Sequence, residues 1–383
     1  MILSSHSDLL RGWVDWPDNE AYATELGRLL AVAQEGGATI AECLAAASRL
    51  DVADPASWRG EWSRLADANR RRAEQAFGAG HIATARNCWL RSANYYLAAS
   101  IAQPADVEPA DIQHADVAGE DLSLVRRCVE KYLANLRPRG EVVVVPWLDG
   151  HSLDGYLSFP VASDSAPVPA VICIGESGRR KHELFFAMAR HARDRGMALL
   201  CVDVGYDAAL VESGVRATRP ETSVAALVDY LMEREDIDGD RIAVIGDGAA
   251  SSWVTRGVAF DRRLAAAVCD GGLEELWQSD AAAGHGGFPA MIRPVPLARK
   301  TGCPVLVVID EFGWLDPQWA GKLLAHDDAA PSNLSLKVFE AAETGASHAS
   351  ADNPTLANEF IFDWIGRQMA ARLVAGNRQF SPR

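Results

Sequence analysis

The chain has 383 residues, enough for two domains with a substantial core, and 49% of them are hydrophobic, ordinary for a globular protein. A formal net charge of -15 without any basic stripe excludes a nucleic-acid surface, which needs clustered Lys and Arg to displace counterions. No apolar stretch is long enough to span a bilayer. The first residues, Met1-Ile2-Leu3-Ser4-Ser5-His6, lack the charged start and apolar core of a signal peptide, so a cytoplasmic protein with no membrane partner is expected.

Up to about Leu136 the sequence is helical in pattern. Apolar residues recur every three or four positions, as in Ala21 to Leu30 and Thr84 to Leu97. In the second of these segments Trp89, Tyr95 and Tyr96 fall on more than one helix face. Two readings stay open: a core helix of a small bundle, or an aromatic edge on a substrate cleft that makes Tyr95 a binding residue. Arg137-Pro138-Arg139-Gly140 breaks the pattern, which puts a helical domain at 1–138 and a second domain at 139–383.

From Glu141 onward strands and helices alternate. The strands expected are Glu141 to Trp147, Leu153 to Pro160 after a hairpin at Asp149-Gly150, Ala170 to Ile174, Met197 to Val204, Arg241 to Gly246, Leu264 to Cys269, Pro304 to Ile309 and Ser335 to Ala341. Helices fill the gaps at Leu184 to Asp194, Ser223 to Glu233, Ser251 to Phe260, Gln318 to Leu324 and Pro354 to Ala371. The fold class is therefore α/β, a mostly parallel sheet covered by helices, preceded by an all-helical domain. Seven cysteines (Cys43, Cys88, Cys128, Cys173, Cys201, Cys269 and Cys303) are scattered singly and read as buried reduced thiols. The nine histidines show no ligand spacing, so no metal and no other cofactor is expected.

The chemistry concentrates at Arg241 to Trp253. A β-branched run ends in Gly246-Asp247-Gly248-Ala249-Ala250 and passes into Ser251-Ser252-Trp253 at helical spacing. On the template Gly-x-Ser-x-Gly of a nucleophile elbow, Gly246 and Ala250 take the small positions and Gly248 stands where the nucleophile belongs. On the dinucleotide template, Gly246-x-Gly248-x-x-Ser251 is followed by Asp270 at the offset of a ribose-binding acid, but Asp247 would crowd a pyrophosphate and the motif falls on a late strand. Ser251 and Ser252, in the first helical turn, are expected to cap free amides.

Around this turn stand Pro146-Trp147-Leu148-Asp149-Gly150 before Gly155-Tyr156-Leu157, the step Lys181-His182-Glu183, Asp236 to Ile242 before the elbow, and His348 followed by Asp352-Asn353-Pro354 and Phe362-Asp363-Trp364. In that order and spacing the chain resembles the α/β-hydrolases related to dihydroxypseudooxynicotine hydrolase and the fungal polyketide-shortening hydrolases. The resemblance implies an α/β-hydrolase core under an N-terminal helical lid, and cleavage of aromatic or polyketide-like molecules by a Ser, Asp, His triad. Carried onto this sequence, the serine position is Gly248 and the acid position Gly313, with Asp310, Glu311 and Asp316 close enough for a displaced acid. Only His348 matches.

The catalytic set expected on this reading is His348, Asp247, Asp270 and Glu183. The substrate-binding set is Gly248, Ala249, Trp253, Glu176, Ser177 and Tyr95, with backbone donation to an oxyanion expected near Glu176. Three outcomes remain open: acid–base chemistry in the same cleft (elimination, cyclisation or carbon–carbon cleavage), hydrolysis by water activated at His348 or by a relocated nucleophile, and a binding or partner subunit that has lost catalysis. The partner expected is a small-molecule substrate, and association into a homodimer is left open.

Overall fold

A computed structural model describes residues 20–51, 54–101, 112–148, 152–161, 167–175, 180–204, 221–273, 301–313, 315–318, 320–321, 333–340, 342–344 and 353–379. The chain divides into two compact units, Met1–Glu141 with Ala351–Thr355, and Val142–Ser350 with Leu356–Arg383.

The first unit is helical: α1 (Glu20–Ala31), α2 (Ile40–Ala47), α3 (Pro55–Gly78), α4 (Ile82–Ala99) and α5 (Ile112–Ala134). Local chemistry sets the ends. The Thr39 hydroxyl accepts from the Glu42 N–H at the start of α2, and Asp54 accepts from the Ala56 N–H ahead of Pro55 at the start of α3. Gly80, at φ +79, takes the left-handed position that closes α3 while the His81 N–H returns to the Ala76 carbonyl. Helix α4 is the centre of this unit, packed by α3 and α5 and buried almost all round. An aromatic row threads it: Tyr22 stacks on Trp58 at 4.0 Å, Trp58 meets Trp62 at 5.4 Å, and Trp62 meets Tyr95 at 5.9 Å.

The second unit is an eight-stranded sheet in the order β1-β2-β4-β3-β5-β6-β7-β8. The strands are β1 (Glu141–Pro146), β2 (Ser152–Ser158), β3 (Val168–Gly175), β4 (Ala198–Asp203), β5 (Ile237–Asp247), β6 (Ala266–Asp270), β7 (Val305–Asp310) and β8 (Leu334–Phe339). β2 runs antiparallel to β4, and every pairing from β4 through β8 is parallel. Burial on both faces is why the central strands read as unbroken apolar runs; Ala170 to Ile174 and Ile242 to Ile245 are wholly buried. Among the described residues its helices are α6 (Arg180–Asp194), α7 (Glu221–Met232), α8 (Ala250–Phe260) and α9 (Pro354–Gln379).

Strand β5 starts at Ile237, four residues before the expected Arg241. Val168 pairs with Ile237 and Ala170 with Ile242, so the ladder bulges around Asp238-Gly239-Asp240. Asp238 stabilises the bulge by accepting from the Asp240 N–H and from Arg241 Nε. Helix α9 runs to Gln379, beyond the expected Ala371. The seven cysteines are buried and unpaired with one another. The expected hairpin turn at Asp149-Gly150 lies outside the described residues.

Candidate active site

Four parallel strands end in aspartate: Asp203 on β4, Asp247 on β5, Asp270 on β6 and Asp310 on β7. The register sets Asp203 beside Gly175 and Asp247 beside Asp270, which forms a row of carboxylates at the edge where open α/β sheets bind ligands. Asp247 and Asp310 are buried, and Asp203 and Asp270 are half-buried. Sequence reasoning singled out Asp247 and Asp270 and missed Asp203, although Val202-Asp203 repeats the same strand-end pattern. The Asp203 carboxylate accepts from the Lys181 N–H at 2.6 Å, so it holds the first turn of α6, where Glu183 also lies half-buried.

Between β5 and α8 the chain makes a tight elbow. Gly248 has φ +56, and Ala249, at φ -64 and ψ -20, leads into the helix. Two glycines serve this turn differently. A Cβ on Gly246 would lie 2.8 Å from Ala250 O, Ser251 Cα and Ser251 N, so only glycine fits there. At Gly248 a Cβ would meet nothing within 4 Å among the described residues, so of these groups its own left-handed backbone is what disfavours a side chain.

The elbow is fastened by main-chain groups. The Gly248 N–H donates to the Asp270 carbonyl at 2.7 Å, and the Ser251 N–H to the Gly248 carbonyl at 3.0 Å. The Ser251 hydroxyl, fully buried, is shared between the Gly246 and Asp270 carbonyls, each at 2.9 Å. Ser252 likewise donates to the Ala249 carbonyl. The expectation that these serines cap free amides is therefore corrected, because both hydroxyls act as donors. After β6, Gly271 passes so close that its Cβ would lie 3.2 Å from Gly248 Cα, and its φ of +110 is a conformation glycine alone adopts readily. The Ala249 N–H has no acceptor among the described residues and stands where this kind of turn offers an oxyanion donor.

Other candidates separate by environment. Trp253, on α8, is 8% exposed and packs into the core. Tyr95 is wholly buried in the helical unit; its hydroxyl accepts from the Thr39 N–H and donates to Glu42, both at 2.9 Å. That corrects the aromatic-edge reading, since no part of the ring or hydroxyl is left for a ligand. Of the displaced-acid candidates, Asp310 is buried at the end of β7, whereas Glu311 and Asp316 are exposed and Asp316 accepts from the Gln318 N–H. His348, Glu176 and Ser177 lie outside the described residues. Among the described residues no group of three or more His, Cys, Asp or Glu could hold a metal, and no helix is long and apolar enough to cross a membrane. The dinucleotide reading does not fit this sheet, because its glycine turn follows the fifth strand of an order unlike 3-2-1-4-5-6.

No family model matches the chain. Among curated proteins it is 28% identical over 266 residues to the α/β hydrolase xenA of Xenoacremonium sinensis, covering 66% of this chain and 60% of that one. It is 31% identical over 268 residues to the α/β hydrolase ucsC of an Acremonium species, covering 64% and 53%. The matches thus span about 60% of the length of such relatives. Among solved structures, 2,6-dihydroxy-pseudo-oxynicotine hydrolase superposes with a TM-score of 0.66 at 19% identity, over 90% of this chain and 96% of that one. AbyA5 superposes at 0.52 with 15% identity, over 83% and 87%. The protein therefore has the α/β-hydrolase fold, and its curated relatives are α/β hydrolases of fungi.

Proposed function

We propose that the protein is an α/β-hydrolase-fold enzyme that acts on a small aromatic or polyketide-like molecule by acid–base chemistry, without a covalent intermediate. One observation carries the reading: the elbow keeps its left-handed tip, where no described residue would touch an added Cβ, but the tip residue is Gly248. Removing the serine of a triad costs about 10⁶ in turnover, and only ~10³ to 10⁴ over water remains from the oxyanion hole and binding. A reaction that needs a base and an oxyanion donor alone escapes that loss.

In such a reaction His348 takes a proton from the carbon next to a substrate carbonyl, and the negative charge moves onto the carbonyl oxygen. The Ala249 N–H stabilises that oxygen. In an elimination the enolate then collapses to expel a β leaving group, which takes the proton from His348; in a carbon–carbon cleavage His348 instead takes the proton of a β-hydroxyl, its oxygen becomes a carbonyl as the Cα–Cβ bond breaks, and the enolate so released is protonated by His348. The substrate class follows the resemblance read from the sequence, and the 2,6-dihydroxy-pseudo-oxynicotine hydrolase whose fold this chain shares is named for an aromatic substrate.

A fluorophosphonate probe tests the mechanism. The protein should remain unmodified, while stoichiometric labelling of any serine would establish a relocated nucleophile and overturn the non-covalent reading. With an active substrate in hand, His348→Ala should lower turnover by roughly 10² to 10⁴.

A further inference from the structure

We propose that the turn between α3 and α4 is a docking tip for an anionic lipid surface, with Phe77 and Ile82 entering the headgroup region and Arg86, Lys131, Arg137 and Arg139 meeting the lipid phosphates. From Ala76 to Ala85 the sequence holds no Asp, Glu, Lys or Arg, in a chain of which 23% is charged. Every residue from Phe77 to Thr84 is exposed, Phe77 to 48% and Ile82 to 36%. A Cβ on Gly78 or Gly80 would meet nothing within 4 Å among the described residues, so the turn stands clear of them. Its shape is set by the backbone: the Ala79 N–H returns to the Gln75 carbonyl at 3.0 Å, the Gly80 N–H to that of Phe77 at 3.0 Å and the His81 N–H to that of Ala76 at 2.8 Å. The two apolar side chains are thus held out before any partner arrives, which lowers the entropic cost of docking.

Cations ring this tip. The Cys128 thiol lies 3.6 Å from the Ser92 hydroxyl and Lys131 Nζ 5.4 Å from the Trp89 ring centroid, so α5 runs antiparallel to α4 and brings its C-terminal end to the tip. Trp89 in turn lies 5.4 Å from the Phe77 ring, which links Lys131 to the exposed side chain. Arg137 and Arg139, both exposed, follow that end of α5, and half-buried Arg86 stands about 6 Å along α4 from Ile82. None of these four cations forms an ion pair among the described residues. The acids nearby are already matched or set apart: Glu74 bonds Arg70 at 3.0 Å, Glu130 bonds Arg126 at 3.1 Å, and Glu141 is half-buried at the start of β1.

A positive rim around an uncharged apolar point selects the occupant. The chain as a whole carries -15, but charges more than about 8 Å away are largely screened at physiological ionic strength, so the rim acts locally. A folded protein partner needs a pocket shaped to the tip, whereas a lipid surface moulds itself to a convex one. With Phe77 and Ile82 roughly 5–10 Å into the headgroup boundary, the long cationic side chains behind them reach the phosphates. Such a contact lies on the surface and requires no spanning helix, of which the described residues contain none.

The contact does not depend on the chemistry proposed for the sheet edge, and sedimentation of the full chain with vesicles tests it. Vesicles of phosphatidylcholine with about one-third phosphatidylglycerol should carry the protein down, pure phosphatidylcholine should not, and added salt should weaken the binding. Joint Phe77→Ser and Ile82→Ser substitution should lower the partition coefficient at least roughly tenfold. Joint Arg86→Gln, Lys131→Gln and Arg139→Gln substitution, which leaves the apolar side chains in place, should do the same. Circular dichroism melts will show that both variants are folded, and the charge variant keeps the test decisive if loss of the Phe77–Trp89 contact unfolds the other. No sedimentation with the mixed vesicles, or equal partitioning of native and variant proteins, would overturn the proposal. A dimer of the protein alone that the serine variant disperses would also overturn it, by assigning the tip to a second copy.

Discussion

The two elbow glycines, two residues apart, should respond to alanine in opposite ways. At Gly248 the added methyl meets no described residue within 4 Å, so the cost is the left-handed backbone, about 1–2 kcal/mol. The unfolded chain loses freedom on the same substitution, which returns about 0.4–1 kcal/mol and leaves a net loss of about 1 kcal/mol or less. At Gly246 the methyl would stand 2.8 Å from three main-chain atoms of Ala250 and Ser251. No side chain can rotate away, so the strain belongs at or above the top of the usual overpacking range of roughly 1–3 kcal/mol. For a domain of this size, roughly 2–4 °C of melting temperature accompanies each kcal/mol. Gly248→Ala should therefore melt within about 4 °C of the native protein, and Gly246→Ala at least roughly 6 °C below it. Thermal melts by circular dichroism, repeated in urea, measure both. Equal losses, or a larger loss at Gly248, would refute the open tip and with it the argument that only the hydroxyl is missing.

Ser251→Ala removes the one donor shared by the Gly246 and Asp270 carbonyls and should cost roughly 1–3 kcal/mol in urea unfolding; a loss below about 0.5 kcal/mol would show that the hydroxyl does not fasten the elbow. In the helical unit, burial would raise the Glu42 carboxyl, but hydrogen bonds from Arg72, Tyr95 and Asn69 outweigh it and hold the group below its ordinary value of 4.5. A depressed carboxylate stabilises the fold above its unfolded pKa and loses that contribution as the pH falls through the folded one. The gap in unfolding free energy between the native protein and Glu42→Gln should accordingly narrow below 4.5; a gap that stays constant from neutral pH into that range would contradict the assignment.

Strands and helices were legible where one physical signal dominated. The buried parallel strands announce themselves as β-branched runs, and β3 and β7 begin and end within two residues of their expected limits. The start of β5 was hidden because Asp238-Gly239-Asp240 has turn composition, and only pairing with Val168 makes the preceding Ile237 a strand residue. At the site, spacing alone located the elbow and the absence of a hydroxyl at Gly248. What spacing could not reveal is the direction of a hydrogen bond. A serine in a first helical turn looks like a cap, and the β6 carbonyl that claims Ser251 is brought there by tertiary structure. Tyr95 shows the same limit, since an aromatic helix face has one pattern whether it meets a ligand or the Glu42 and Thr39 groups found here.

The way the elbow is fastened bears on which sequences are mutational neighbours of this one. Its shape rests on the Gly248 N–H, the Ser251 hydroxyl and the near contact with Gly271, none of which involves a side chain at the tip. A glycine codon can become a serine codon by one base change. Gly248→Ser would meet an already formed turn and no described residue within 4 Å of its Cβ, at a backbone penalty of about 1–2 kcal/mol. Gain or loss of a nucleophile at this position is thus a short evolutionary step that leaves the scaffold standing, and the two kinds of chemistry can be neighbours in sequence without any intermediate that fails to fold.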